Sequence, residues 1–355
     1  MGIGIGDFDL AKRKELLINL ALAVGGLVFL LVVLEIGFRL VEGLEARAQS
    51  QGEPWAVYDP DLKYRPRPNH DDFNADGLRD DPIAPVKTKF RLLMLGDSVA
   101  FYGDSISDTF PGRLETALNQ DEALTPTEVI NAGVRGYTNL QELIFLKKYG
   151  LQFQPDLVGV ALVLNDMHPY LHEFKVENGK IVGQEYVFAQ EAVQSVDSPL
   201  YRLARKSRLL VWLRRQLSIF DDMINVYAQE GYTFDYRPDF NTAWKEKPWQ
   251  DVERQMAEMV QLGQENGFRV FVVIFPFGEQ YREDYLARDR DYVLFPQTRM
   301  QAICQSLDMP CLDLYPILTR DDLIADDIHL TQAGREKTAQ AIAGFLKENN
   351  LIPSR

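Results

Sequence analysis

Apolar and polar residues follow two periods along most of the chain, one typical of strands and one typical of helices. Five short apolar runs, each closely followed by Gly, Asn or Pro, predict buried strands. These runs lie at residues 90–95, 128–130, 157–164, 270–275 and 310–314. Apolar residues three and four positions apart predict helices at residues 110–118, 140–150, 252–266 and 292–307, and a last one from Thr331. Because strand and helix alternate, we expect a mainly parallel sheet with helices on both faces, in a domain spanning 89–355.

Two stretches interrupt this alternation. Residues 50–88 are rich in Pro, Asp, Asn and Gly, which is the composition of turns and loops. We interpret residues 39–88 as a lead-in that spaces the domain from the N-terminal segment and packs along the domain. Residues 167–249 break the rhythm of strand and helix, and we predict a largely helical insertion there.

The N-terminal segment has a long apolar run with a single polar interruption. Leu16 to Leu34 is apolar apart from Asn19, and nineteen helical residues span about 28 Å, close to the thickness of a bilayer core. The pattern predicts a cytoplasmic tail at 1–15 and a transmembrane anchor at 16–38. Two alternatives stay open: a buried core helix, and a cleaved signal, for which the small-x-small site at 46–48 lies well beyond the apolar run.

The charges on either side of the predicted anchor differ. Lys12, Arg13 and Lys14 precede it, whereas Glu35 near its far end and Glu42 and Glu45 beyond it dilute Arg39 and Arg47. The positive-inside rule therefore predicts a cytoplasmic N-terminus and a domain on the outer side of the membrane.

Composition narrows the classes of partner. The formal net charge is −14 and the pI is about 4.9, so we expect no nucleic-acid partner, because binding to phosphates needs a basic face. The two cysteines, Cys304 and Cys311, are too few for a disulfide framework and fit no zinc pattern. In an oxidising compartment they either pair or remain buried thiols.

One segment of the insertion is basic in this acidic protein. Residues 201–217 form an amphipathic helical pattern with six Lys and Arg residues: Arg202, Arg205, Lys206, Arg208, Arg214 and Arg215. Such a helix suits contact with an anionic membrane surface or an anionic substrate. The alternative is a surface helix that packs its Leu and Trp side on the domain.

Polar residues follow the first three predicted strands at the points where they end. Ser98 closes Gly96-Asp97-Ser98 after the first strand, Gly136 lies in the loop after the second, and Asn165 follows the third. Because parallel strands end at one edge of a sheet, we expect these three residues to converge. A serine at a strand–turn–helix junction presents its hydroxyl beside unpaired backbone amides, which suits a nucleophile. The alternative is that Asp97 or Ser98 serves only as the N-cap of the following helix, a structural role.

A serine nucleophile needs a base, and the chain has four histidines: His70, His168, His172 and His329. His329 stands just before the last helix with Asp326 three residues ahead, so the carboxylate can hold Nδ1–H and leave Nε2 to take the serine proton. His70 lies in the lead-in. Asp166 with His168 and His172 is the one candidate metal cluster, but Pro169 disturbs its spacing, and we predict no metal and no cofactor.

The chain has four motifs in order: Gly96-Asp97-Ser98, Asn131 to Gly136, Asn165-Asp166, and Asp326 to His329. They closely resemble the four sequence blocks of the SGNH (GDSL) hydrolase family. The resemblance covers the chain from about residue 90 to the end, apart from the insertion. The resemblance implies a flavodoxin-like three-layer α/β/α fold and hydrolysis of acyl esters without a metal. It implies Ser98 as the nucleophile and His329 as the general base, oriented by Asp326. The implied oxyanion hole comprises the backbone N–H groups of Ser98 and Gly136 and the side-chain amide of Asn165. Gly133 is the alternative to Gly136.

One departure and one further likeness bear on the substrate. Val163 stands where the third block usually has glycine, which narrows the site or shifts Asn165. The anchor and the lead-in motif from Asp76 to Arg79 resemble a membrane-tethered bacterial branch associated with envelope or exported polysaccharide, which implies the bacterial inner membrane and a periplasmic domain. Four functions stay open: a polysaccharide O-acetyl esterase, an O-acyltransferase with the same triad, a lipase or thioesterase, and an inactive scaffold.

Overall fold

The computed structural model describes residues 5–49, 55–167, 170–177, 180–186, 207, 209–210, 241–325 and 327–355. The chain divides into two compact units. One comprises residues 1–53 and 192–235, and the other comprises residues 54–191 and 236–355. Part of the segment predicted as an insertion therefore belongs to the unit of the N-terminal helix and not to the unit of the sheet.

The strands in chain order are β1 (Ala56–Asp59), β2 (Lys63–Pro66), β3 (Phe90–Gly96), β4 (Thr127–Gly133), β5 (Leu157–Leu162), β6 (His172–Glu177), β7 (Lys180–Tyr186), β8 (Arg269–Ile274) and β9 (Cys311–Asp313). The α-helices are α1 (Ile5–Gln49), α2 (Ser98–Phe101), α3 (Phe110–Gln120), α4 (Asn139–Lys148), α5 (Glu246–Asn266), α6 (Glu283–Val293), α7 (Phe295–Ser306) and α8 (Gln332–Glu348). Short 3₁₀ turns lie at Ile106–Asp108, Gly150–Phe153, Asn241–Trp244, Gly278–Tyr281 and Arg320–Asp322.

The first unit contains α1, of which Glu15–Val41 is long and apolar enough to cross a membrane. The carboxylate of Glu35 accepts a hydrogen bond from Arg39 Nε at 2.7 Å. It also accepts hydrogen bonds from Ser207 Oγ at 2.8 Å and from the backbone N–H of Leu209 at 3.0 Å. The segment around residue 207 is thus bonded to the helix that was predicted as an anchor. The rest of the basic segment 201–217, apart from residue 210, lies outside the described residues.

The second unit is built on a parallel sheet whose strands are ordered β4-β3-β5-β8-β9. This order confirms the predicted mainly parallel α/β sheet, and it is the flavodoxin-like order of doubly wound folds. The direction of winding reverses between β3 and β5. Ligands of such sheets bind at this switch point, outside the carboxyl ends of the two strands.

Helices cover both faces of the sheet. Helices α3 and α8 pack against each other, whereas α4, α5 and α7 form a second contiguous layer with contacts to β3, β8 and β9. Right-handed crossovers between parallel strands produce this division into two helical layers. Every residue of β5 is buried, because the strand lies at the centre of the sheet and is covered on both faces.

The outer edge of β4 is closed by side chains. Asn119 both accepts from the N–H of Thr127 at 3.0 Å and donates to its carbonyl at 2.8 Å. Glu115 accepts from the N–H of Val129 at 2.8 Å, and Asp80 accepts from the next outward N–H, that of Asn131, at 2.7 Å. These bonds block further strand pairing at an edge that would otherwise be open.

Three sequence predictions differ from the structure in detail. The helix predicted at 292–307 is two helices: α6 ends at Val293, and α7 begins at Phe295 with Pro296 in its first turn, where proline is favoured. The described beginning of the insertion is an antiparallel hairpin of β6 and β7. Within residues 50–88, which were predicted to be turns and loops, β1 and β2 form a second hairpin.

Candidate active site

The turn after β3 carries Ser98 as the first residue of α2. The carboxylate of Asp97 caps α2 by accepting from the N–H of Val99 at 2.8 Å, and Ser98 Oγ donates to the same carboxylate at 3.2 Å. Gly96 is required here, because a Cβ would lie 2.9 Å from the side chain of Ala100 and 3.0 Å from that of Ala161. The cap is therefore Asp97, which leaves the hydroxyl of Ser98 half-buried at the carboxyl edge of the sheet.

His329 lies beside the same turn. The backbone N–H of Tyr102 donates to the carbonyl of Ser98 at 2.8 Å, and the Tyr102 ring packs on the His329 imidazole with 4.9 Å between the centroids. His329 also interacts electrostatically with Asp97. A bond from the N–H of Ile324 to the carbonyl of His329, 2.8 Å long, holds its loop closed. The structure thus brings the predicted nucleophile turn and the predicted base together, while Asp326 lies outside the described residues.

The loop after β4 distinguishes between the two candidate glycines. The N–H of Gly133 is used by the side-chain oxygen of Asn131 at 3.0 Å, and Asn131 Nδ2 in turn donates to the carbonyl of Ala100 at 3.1 Å. Gly136 has a φ of +74°, a conformation that glycine adopts at little cost. Its N–H makes no hydrogen bond to any part of the chain that the structure describes. Gly136 is therefore the glycine whose amide remains available to a ligand.

Asn165 follows β5 in a tight turn. The N–H of Asp166 donates to the carbonyl of Val163 at 3.0 Å, and the carboxylate of Asp166 accepts from the N–H of Val163 at 2.7 Å. Val163 is only 2% exposed, so its side chain is accommodated in the core. Asn165 is 5% exposed, and its Oδ1 has no hydrogen-bond partner among the described residues.

The lead-in braces the loop that carries Gly136, a role that the sequence analysis missed. Tyr64 donates its hydroxyl to the carbonyl of Arg135 at 2.5 Å, and the Tyr137 hydroxyl donates to the carbonyl of Tyr64 at 2.9 Å. Arg79 is buried and donates to the carbonyl of Phe101, the last residue of α2, at 2.5 Å. The only sequence signal for this role was the presence of tyrosine and arginine among the prolines of the lead-in. The segment as a whole has the composition of turns, so it was predicted as a loop.

Burial dominates the electrostatics around Ser98. Burial raises the pKa of the Asp97 carboxyl, while the Val99 amide, His329 and the Ser98 hydroxyl act in the opposite direction. Glu142 on α4 was missed by the sequence analysis, yet it is 1% exposed and interacts electrostatically with Asp97. The apolar spacing that predicted this helix gave no signal for Glu142, because its role depends on Asp97, which is distant in sequence.

The remaining histidines lie elsewhere or outside the described part. His70 Nδ1 is 2.9 Å from the carboxylate of Asp71 in the lead-in. His172 is the first residue of β6, and His168 lies outside the described residues. Among the described residues, no group of three or more His, Cys, Asp and Glu side chains is arranged to hold a metal ion.

Comparisons with known proteins found similar solved structures and one matching family model. Among solved structures, TesA is 15% identical, with 73% of this chain and 98% of that chain covered and a TM-score of 0.42. A lipase/acylhydrolase from Enterococcus faecalis is 16% identical, with 75% and 98% covered and a TM-score of 0.41. A catalytic mutant of Axe2, an acetylxylan esterase from Geobacillus stearothermophilus, is 13% identical, with 75% and 96% covered and a TM-score of 0.41. No curated protein matches.

Residues 94–337 match the model of the GDSL-like Lipase/Acylhydrolase family. The matched range begins within β3 and ends within α8, so it includes Ser98, Gly136, Asn165 and His329. Because the match spans well over half of the chain, the protein belongs to the GDSL-like lipase/acylhydrolase family and is an ester-hydrolysing enzyme.

Proposed function

We propose that this protein is a membrane-anchored serine esterase that removes acyl groups, chiefly O-acetyl groups, from an envelope or exported polysaccharide. The observation that carries the proposal is the convergence of Ser98, Gly136 and Asn165 after three adjacent strands, with His329 packed beside the helix of Ser98. A hydroxyl, an imidazole and two unused polar groups at one sheet edge are the parts that acyl transfer needs.

In the first half of the proposed reaction, Ser98 Oγ attacks the ester carbonyl while His329 Nε2 takes the hydroxyl proton. Asp326 orients the imidazole through Nδ1–H. The negative charge that develops on the carbonyl oxygen is stabilised by the N–H groups of Ser98 and Gly136 and by the amide of Asn165. The bond between the acyl carbon and the sugar oxygen then breaks. His329 gives the proton to that oxygen, so the sugar leaves with a free hydroxyl group.

The second half releases the acyl group. Water attacks the acyl-serine carbonyl and gives a proton to His329, and the same three donors hold the oxyanion. Collapse of this intermediate breaks the bond to Ser98 Oγ, which regains the proton, and frees the carboxylic acid. If a sugar hydroxyl takes the place of water, the same steps transfer the acyl group, which is the alternative O-acyltransferase reaction.

Helix α1 and the charges around it support a location at the membrane. Glu15–Val41 is long and apolar enough to cross a membrane, and basic residues precede it. We infer an inner-membrane protein with a cytoplasmic N-terminus and a periplasmic catalytic domain. The bonds from Ser207 and Leu209 to Glu35 support a place for the basic segment 201–217 at the membrane surface.

Tyr102 supports a carbohydrate substrate. Its ring is 42% exposed beside His329, so it offers an aromatic surface at the site against which the apolar face of a sugar ring can pack. Because an acetyl group is small, the buried Val163 in place of glycine is compatible with this substrate class.

The proposal is tested with detergent-solubilised full-length protein on a panel of O-acetylated oligosaccharides and longer-chain esters. Released acid is measured with and without an unacetylated oligosaccharide acceptor, and Ser98→Ala serves as the control. We expect acetate release from the sugars, little hydrolysis of long-chain esters and no activity in the control. Acyl transfer to the acceptor that outpaces acetate release would favour the transferase, and a preference for long chains would favour a lipase or thioesterase.

A further inference from the structure

Three carboxyl side chains are buried together next to Ser98, on three different elements. Asp97 follows β3, Glu142 lies in the first turn of α4, and Asp166 follows β5. Their exposed fractions are 0%, 1% and 1%, and each interacts electrostatically with the other two. Three negative charges this deeply buried would repel one another with little water to screen them.

Three of the six carboxyl oxygens of this cluster have no hydrogen-bond partner in the part of the chain that the structure describes. Both carboxyl oxygens of Glu142 and one of Asp166 are buried and unpaired. Both polar side-chain atoms of Asn139 are also unpaired, and its backbone N–H donates to the carbonyl of Asp166 at 3.2 Å. Buried polar atoms are nearly always hydrogen-bonded in proteins, and ordered water is the usual bridge between atoms that do not touch.

Of the three carboxyls, Asp97 has the most groups that stabilise a negative charge. That carboxylate accepts from the N–H of Val99 and the hydroxyl of Ser98, and it interacts favourably with His329. Asp166 has one donor, the N–H of Val163, and Glu142 has none among the described residues.

The charged groups that act on Glu142 from the neighbouring elements are Asp97 after β3 and Asp166 after β5, and both are acidic. Burial, followed by the Asp97 carboxylate, raises the pKa of both Glu142 and Asp166 well above the usual range. Burial and the neighbouring negative charge therefore favour the protonated form of both carboxyls.

We propose that Glu142 and Asp166 are positioning residues, which act as neutral carboxylic acids that donate hydrogen bonds through bridging water and so hold Asp97 and the turn of Ser98 in place. The inference rests on the proposed role of Ser98 as the nucleophile. A protonated carboxyl has an O–H donor, whereas an ionised one only accepts. Loss of either proton would therefore replace an attraction to Asp97 by a repulsion and would displace the turn.

The first test is the pH dependence of kcat for Glu142→Gln and Glu142→Ala. Glutamine keeps the shape and the donor of a neutral acid but has no proton to lose. We expect kcat of E142Q at pH 7 to be close to the wild-type value, and its decline at alkaline pH to be weaker than that of the wild type. For E142A we expect a kcat lowered by about ten- to a hundredfold, the usual cost of a displaced reacting group.

Glu115→Gln is the matched control. Glu115 is half-buried, and burial raises its pKa, but it accepts from the N–H of Val129 at the outer edge of β4. We expect E115Q to keep the alkaline decline of the wild type. The inference is overturned if E142Q also keeps that decline, or if E142Q is as slow as E142A at pH 7.

A second readout does not need turnover. The unfolding midpoint of the Ser98→Ala protein is measured against pH, with and without E142Q. Because the folded-state pKa of Glu142 is raised, its contribution to stability is complete at low pH and is lost as the pH rises through that pKa. We expect E142Q to remove part of this alkaline loss, and parallel curves would contradict the inference. If the curves diverge but the wild-type protein hydrolyses no ester of the substrate panel, the proposed function fails and the neutral state of Glu142 stands.

Discussion

The ring of Tyr102 packs on the imidazole of His329, with 4.9 Å between the ring centroids and 32° between the ring planes. Tyr102 directly follows α2, and its N–H donates to the carbonyl of Ser98. One aromatic side chain therefore joins the turn of the proposed nucleophile to the loop of the proposed base, although the two lie more than two hundred residues apart in sequence.

Replacement of Tyr102 by alanine is expected to lower kcat by roughly three- to tenfold, because a packed aromatic pair contributes about 0.5–1.5 kcal/mol. The imidazole loses the ring that fixes its plane. Tyr102→Phe keeps the ring and serves as the control, with an expected kcat close to that of the wild type. Steady-state kinetics on a small acetyl ester measure both. Equal activity of Y102A and Y102F would show that the contact does not position His329.

Replacement of Asn165 by alanine is expected to lower kcat by about 10²–10³-fold, the usual cost of losing one oxyanion donor. The unfolding midpoint is expected to change little, because Asn165 makes no side-chain hydrogen bond within the described residues. Asn119→Ala is the matched control. It removes both bonds to Thr127 at the edge of β4, so it is expected to lower stability and leave kcat unchanged. Full activity of N165A would remove Asn165 from the oxyanion hole.

Replacement of Gly136 by alanine places a Cβ on a residue with a φ of +74°. This strain costs about 1–2 kcal/mol and is expected to displace the amide and lower kcat more than tenfold. Gly267→Ala provides a matched control, because Gly267 has a φ of +81° at the end of α5 and no atom lies within 4 Å of the point that its Cβ would occupy. We expect G267A to lose similar stability without loss of kcat. Parallel losses of kcat in both variants would assign the effect to stability alone.

The sheet and the grouping of the motifs were predictable because both depend on local patterns. Apolar runs of four to eight residues that end in turn-forming residues specify buried strands, and parallel strands necessarily end at one edge. The convergence of Ser98, Gly136 and Asn165 follows from that rule. His329 could be predicted as the base, because a histidine close to a carboxylate in a loop is a recognisable pair. Its packing on Tyr102 could not be predicted, because the contact joins distant segments and has no local signal.

The lead-in and the buried acids were not predictable in the same way. Pro60 and Pro66 gave the lead-in the composition of a loop, although Tyr64 between them donates to the loop of Gly136. The role of Tyr64 depends on a partner about seventy residues away. Glu142 is polar in a helix whose other buried positions are mostly apolar, and only the folded arrangement shows that it lies against Asp97. Long-range contacts, rather than propensity, decide both cases.

The stability of the domain is expected to fall between about pH 4 and pH 8 through Asp80. Burial raises the pKa of Asp80 to about 7, above the value of 3.8 that an unperturbed Asp has. A group whose folded pKa is raised contributes stability that is complete below its unfolded pKa and is lost as the pH rises through the folded pKa. Asp80→Asn keeps an acceptor for the N–H of Asn131 and is expected to flatten this part of the curve.

The measurement is the unfolding midpoint of full-length protein in detergent against pH, with Asp291→Asn at an exposed carboxylate of α6 as the control. D291N is expected to follow the wild-type curve. A D80N curve that runs parallel to the wild type across this window would show that Asp80 does not titrate there.

Covalent labelling of intact protein with a fluorophosphonate probe, followed by peptide mapping, reports directly on whether His329 activates Ser98. We expect a single modified residue at Ser98 in the wild type, a labelling rate lowered by at least about a hundredfold in His329→Ala, and no label in Ser98→Ala. A label that persists in S98A, or a labelling rate in H329A equal to that of the wild type, would contradict a serine esterase built from these two residues.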